Sequence, residues 1–220
     1  MQIRANALVV SADSKDIGHV RRVVIDPRSD QIRDIVVRKG MLFTEDRVVP
    51  IELVAETTGE QVRLKISAKV AEALELFEET FYMPVDGADQ ATERLPVTTF
   101  APAYYWNPPM IGYEAATHAG SVPPELLGYE LHTERHIPAN TVALKEGAKV
   151  KTRDDHHVGQ VEQVMTPPGS QQATHIVLSE GVFNKSHKVI PLNWVEHIAE
   201  DEVSLAVSKA VIERLPVYEH

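Results

Sequence analysis

Three groups of side chains in this 220-residue chain could do chemistry. The run Asp154-Asp155-His156-His157 supplies carboxylates and imidazoles, the donor types of a borderline metal ion. A metal needs ligands that converge, however, and consecutive residues of a strand or turn point apart. The similarly placed Asp13-Ser14-Lys15-Asp16 has no histidine, and His175, His187 and His197 are scattered, so the run reads as a solvated turn. No metal and no cofactor is expected. The second group is basic: Arg21, Arg22, Arg28, Arg33, Arg38, Lys39 and Arg47 lie close together. Antiparallel pairing of 18–26 with 31–39 would bring several onto one face, with Arg21, Arg33 and Arg38 as candidate contacts for an acidic protein, a phosphate or RNA. Asp26, Asp30, Asp34 and Asp46 are interspersed, and the net charge of −10 opposes nucleic-acid binding. The third group lies in the Pro-rich stretch from Phe100 to Tyr113, where Tyr104, Tyr105, Trp106 and Tyr113 cluster. Trp and Tyr pair large apolar area with a polar handle, so this segment either packs as a clasp between domains or anchors a partner protein.

Catalysis finds little support. The chain has no cysteine, which removes thiolate nucleophiles, thiolate metal sites and disulfides. No GxSxG, HExxH or Walker-type spacing occurs, so no catalytic residue is assigned and the protein is expected not to be an enzyme. Gly18 and Gly159 are lone glycines inside aliphatic segments, the mark of a bulge or a close backbone approach rather than of a phosphate loop. Pro50 and Pro191 end strands, where a missing N–H does no harm.

The elements that must position these groups occur twice. With a constant offset of 141, Asp13 falls on Asp154, Gly18 on Gly159, Ile35-Val36 on Ile176-Val177, Pro50 on Pro191 and Leu64 on Leu205, without a slip. Such an ungapped match is a duplication, and it governs the fold. Within each copy, Val- and Ile-rich segments alternate with turn residues: 7–11, 18–26, 31–39, 46–50 and 61–66, and again 141 positions later. Ser67 then opens a stretch with apolar residues at 70, 73, 74 and 77, the spacing of a short helix, which Pro216 ends early in the second copy. The predicted architecture is all-β with short helices: two tandem small barrels, each of five to six antiparallel strands and a C-terminal helix. The domains are 1–79 and 144–220, joined by a Pro- and aromatic-rich connector, 80–143. Residues 81–143 hold seven acidic and two basic side chains, which concentrates the acidity there. A Glu-Arg-Leu-Pro-Val peptide recurs at 93–97 and 213–217, as if the first copy's tail had been displaced by insertion. With 43% hydrophobic and 25% charged residues, and no apolar run near the ~20 residues that span a bilayer, the expectation is a globular cytoplasmic protein.

The paired motifs Ile17-Gly18-His19-Val20 and Val158-Gly159-Gln160-Val161, then Ile35-Val36-Val37 and Ile176-Val177-Leu178, then Val48-Val49-Pro50 and Val189-Ile190-Pro191, resemble the PRC-barrel family. That family includes the cytoplasmic part of the photosynthetic reaction-centre H subunit and the C-terminal domain of a ribosome-maturation factor. The sequence shows neither the membrane helix of the first nor the preceding domain of the second. The resemblance implies a binding or scaffolding module with a protein partner or self-association. RNA or ribosome handling, and peripheral association with a membrane complex, are the alternatives it brings.

Overall fold

The computed structural model describes residues 1–39, 45–84, 95–96, 129–181 and 186–218. The first copy runs β1 (Gln2–Arg4), β2 (Leu8–Val10), β3 (Asp16–Asp26), β4 (Gln31–Lys39), β5 (Glu45–Pro50), β6 (Val54–Thr57), β7 (Gln61–Leu64) and α1 (Ala68–Ala71). An excursion follows, with β8 (Glu78–Pro84), β9 (Leu95–Pro96) and β10 (Tyr129–Arg135). The second copy then runs β11 (Val142–Lys145), β12 (Lys149–Lys151), β13 (His157–Met165), β14 (His175–Glu180), β15 (Ser186–Pro191), β16 (Val195–Ile198), β17 (Glu202–Leu205) and α2 (Lys209–Glu213).

The two sheets repeat one another. Their orders are β5-β4-β3-β2-β7-β6 and β15-β14-β13-β12-β17-β16. In both, the pairing of the second strand with the seventh is parallel, Val9 against Val62 and Val150 against Val203, while the neighbouring pairs are antiparallel. Turn conformations repeat as well: Ser14 and Asp155 have φ of 58° and 57°, and Asn6 and Gly147 have 61° and 71°. Asp13 accepts the Ala68 amide and Asp154 the Lys209 amide, so in each copy an aspartate fixes the first turn of the helix.

The short first strands cross over. β1 pairs with β13 of the second copy, Ile3 opposite Val164, and β11 pairs with β3 of the first, Leu144 opposite Val23. The exchange is reciprocal to the residue. Ala5 N–H donates to Glu162 O at 2.7 Å, and Glu146 N–H donates to Arg21 O at 2.9 Å. Farther along, Ile32 N–H donates to Gln171 O and Ala173 N–H to Asp30 O, flanking a bridge between Gln31 and Gln172 that lies at equivalent positions of the two copies. Consequently Ile3, Ile35 and Val62 share one apolar cluster with Leu144, Ile176 and Val203.

The boundaries drawn from sequence at 79/80 and 143/144 therefore shift. Met1–Phe77 and His136–His220 form one compact unit and Glu78–Arg135 a second. The reason is that 136–145, placed largely in the connector, carries β11, which completes the first copy's sheet. In the second unit, β8 pairs antiparallel with β10 from Glu78↔Arg135 to Pro84↔Tyr129, and with β9 at Phe81↔Pro96. The helix expected to run on to residue 77 stops at Ala71. Its apolar spacing had another cause: Val70 is half exposed, whereas Phe77 N–H joins the edge of β5 by donating to Asp46 O and the Phe77 ring is buried with Val24, Val36 and Val48. Tyr218 N–H makes the same bond to His187 O, so the offset of 141 holds to the end of the first copy. Glu93–Val97 is thus not the first copy's displaced tail.

Candidate functional site

The basic face was the sharpest sequence-derived candidate, and carboxylates answer most of it. Arg38 forms a two-pronged ion pair with Asp46, Nε to Oδ1 at 2.6 Å and Nη2 to Oδ2 at 2.7 Å. That bond, more than the nearby Glu146 charge, raises the Arg38 guanidinium above its ordinary value. Arg47 is held by Glu45 and the Leu74 carbonyl, and its counterpart Lys188 is buried and donates to Ile212 O of α2 at 2.8 Å. Arg33 is exposed beside Gln31. Arg21 reaches out of its own copy to Glu146. Arg4 meets Glu162 at 2.6 Å, and Arg22 meets Glu200 while its guanidinium lies 4.9 Å from the Phe77 ring centre. Of that face, Arg21 and Arg22 belong with Arg4 to the first copy's side of a junction between the copies, while Arg38 and Arg47 pair within the first copy.

Sequence reasoning missed Glu146, Glu162 and Glu200, because it looked for acids near the arginines in the chain. A signal existed: residues 141 positions from Arg21 and Ala5 are Glu162 and Glu146, so the charge differs between copies where the backbone repeats. Beside these pairs opens a polar cleft of about 400 Å³, bordered by Arg4, Asn6, Glu60, Glu146, Gln160 and Glu162. Three of its borders are glutamates, and Arg4, Glu146 and Glu162 are engaged in ion pairs, so it suits water or a small polar solute better than a phosphate.

The glycines and prolines lie at architectural positions. Gly18 (φ 137°) and Gly159 (φ 140°) sit at bulges where β3 and β13 pass β2 and β12. A Cβ at Gly18 would stand 2.1 Å from the Arg38 carbonyl oxygen, and one at Gly159 would stand 2.5 Å from that of Ser179. Pro50 and Pro191 close β5 and β15 and lead into single 3-10 turns. In the Asp-Asp-His-His run each side chain has a separate task. Asp154 holds the α2 amide and is kept below the usual carboxylate range by the Thr152 hydroxyl and that amide; Asp155 occupies the positive-φ turn; His156 lies 3.3 Å from Asp154; and His157 begins β13. The equivalent Asp13 is pulled down to about 2 by the Ser11 hydroxyl and the Ala68 amide. His187 Nε2 lies 2.9 Å from Glu162, His175 pairs with Thr174, and His197 is exposed on β16. Tyr104, Tyr105, Trp106 and Tyr113 lie outside the described residues.

One of the interspersed aspartates is buried rather than exposed on the basic face. Asp34 on β4 is 7% exposed and its Oδ2 has no hydrogen-bond partner. Burial pushes its carboxyl above the usual range, and the Arg33 charge pulls it back only in part. A folded-state pKa above the unfolded value means that stability is fully present below about 3.8 and is lost as pH rises through the folded pKa. Asp34→Asn is therefore expected to raise stability by about 1 kcal/mol at pH 7 and to change little at pH 3.5. Urea midpoints at the two pH values check this, and a destabilised variant at pH 7 would mean that the carboxylate serves as a needed acceptor.

Among the described residues no helix is long and apolar enough to cross a membrane. No curated protein matches the chain. Residues 6–71 match the family model of the PRC-barrel domain, a span that takes in β2 to α1, the Gly18 bulge and the strand end at Pro50. Residues 6–71 are thus a PRC-barrel domain, and the second copy repeats its six-strand order.

Proposed function

We propose that this protein is a non-catalytic scaffold: a fused pair of barrels that binds another protein, or a second copy of itself, through the segment carried between β9 and β10. The observation that supports this most is the ribbon of β8 and β10. The chain leaves the barrel unit at Glu78 and returns at Arg135 through paired strands of one ribbon, so the sequence between them is not a tether that must span two separate barrels. A span of 32 residues from Val97 to Gly128, longer than a connection needs, holds Tyr104, Tyr105, Trp106 and Tyr113 among prolines. Segments of this composition, rich in proline and aromatic residues and acidic in balance, suit protein contact. Engagement of Arg4, Arg21, Arg22 and Arg38 by carboxylates favours a protein partner over RNA. Turnover finds no support in the turn aspartates, whose carboxylates are committed to helix amides.

The test is affinity capture from the native cytoplasm with the unaltered protein and with a Tyr104→Ala/Tyr105→Ala/Trp106→Ala variant, together with light scattering for self-association. Loss of a specific partner, or of a defined oligomer, by at least about tenfold at an unchanged melting temperature is the expected result. Equal capture by both proteins, or a melting temperature that falls by several degrees in the variant, would instead make the aromatic residues internal packing.

A further inference from the structure

The junction between the copies has a charge polarity that its backbone does not require. We propose that Arg4, Arg21 and Arg22 of the first copy and Glu146, Glu162 and Glu200 of the second form a recognition code, by which each barrel accepts the complementary copy and rejects its own kind. The reciprocal strand pairing is two-fold in its main chain: Ile3 sits on Val164 as Leu144 sits on Val23, and Ala5 bonds Glu162 as Glu146 bonds Arg21. A barrel of this design could pair equally well with an identical barrel on another chain. The side chains decide otherwise. Arg4 meets Glu162, Arg21 meets Glu146 and Arg22 meets Glu200, and in each pair the cation belongs to the first copy and the anion to the second.

The alternatives follow from the offset of 141. If two first copies paired, Arg4 would face Arg21, Arg21 would face Ala5 and Arg22 would face Gly59, so all three pairs vanish and a like-charge contact appears twice. If two second copies paired, Lys145 would satisfy Glu162, but Glu146 would face Glu162 and Glu200 would face Gln163, so one attraction is set against one repulsion. Pairing of unlike copies keeps all three. It also resolves the position where Lys145 and Arg21 would otherwise meet, because Glu146 takes Arg21. The Arg4, Arg21 and Arg22 side chains are 31%, 33% and 13% exposed, so the charges are partly withdrawn from solvent, where pairing and mismatch both weigh more than on an open surface. The partner that fits this surface is thus the other half of the same chain, or of a second chain that exchanges halves reciprocally. This holds whatever the excursion binds.

Full-length chains test it. One variant carries Arg4→Glu/Arg21→Glu, a second carries Glu146→Arg/Glu162→Arg, and a third carries all four substitutions. Each two-residue variant alone is expected to show a lower urea midpoint, and the four-residue variant to regain most of that loss. When the first two are unfolded together and refolded, their junctions are complementary only across chains, so a mixed 1:1 dimer of twice the 24.5 kDa chain is expected by light scattering and native mass spectrometry. Two-residue variants with the midpoint of the unaltered protein would overturn the proposal, because the pairs would then select nothing. A four-residue variant no better than the worse two-residue variant, with no mixed dimer, would overturn it too, because the loss would then come from packing and not from charge.

Discussion

Gly18→Ala is expected to lower the free energy of unfolding by about 4 kcal/mol, a large share of what a barrel unit of this size has to spare. Two costs combine. At φ 137° an L side chain is strained even in open space, and here the space is filled: the added Cβ would lie 2.1 Å from the Arg38 carbonyl oxygen and 2.7 Å from its carbon. Both obstacles are backbone atoms of β4, which is paired with β3 at His19↔Arg38, so relief requires that the two strands part. Gly159→Ala should behave alike but more mildly, since its nearest obstacle is 2.5 Å away and the next is the end of the Leu178 side chain. Denaturant titration of the two variants measures both. A loss under about 1 kcal/mol at Gly18 would mean that the bulge relaxes without disturbing β4.

Most of the repeat could be read in the sequence because its signals are local. An aspartate that turns the chain, a glycine that permits a bulge and a proline that ends a strand each act within a few residues, and the offset of 141 carried them unchanged from Asp13, Gly18 and Pro50 to Asp154, Gly159 and Pro191. What could not be read was partnership. Gln2–Arg4 is a three-residue strand with one buried side chain, Ile3, and nothing in three residues says which sheet they will join. Its counterpart Val142–Lys145 was hidden for the same reason, cut by the boundary drawn between linker and second domain. The helix was overextended because Val70, Ala73, Leu74 and Phe77 fit helical spacing, although Phe77 in fact covers the outer face of β3, β4 and β5. The junction pairs of Arg21 and Arg22 were missed because their acids lie more than a hundred residues away in the chain, as from Arg21 to Glu146. Asp34 was counted among the acids that dilute that face, and burial of its carboxylate depends on neighbours that sequence spacing does not reveal.

The exchanged strands make a second large effect testable. Ile3→Ala is expected to cost about 3 kcal/mol, and the loss should appear as strongly in the second copy as in the first. Ile3 is 1% exposed, pairs with Val164 and lies in the cluster that holds Ile35 and Val37 together with Ile176 and Leu178. If the copies were independent domains, a change near the start of the chain would leave β13 and β14 protected. With the core shared, amide hydrogen exchange should accelerate together in β3–β4 and β13–β14, and denaturation should remain a single transition at a lower midpoint. Leu144→Ala is the mirror test: it sits opposite Val23 at 3% exposure, and its removal should loosen the first copy although it belongs to the second by sequence. Two resolved transitions, one of them unmoved by Ile3→Ala, would show that the copies fold apart. A single shifted transition would make the crossover of β1 and β11 the reason that two small barrels, each near the lower size limit for a stable core, hold as one.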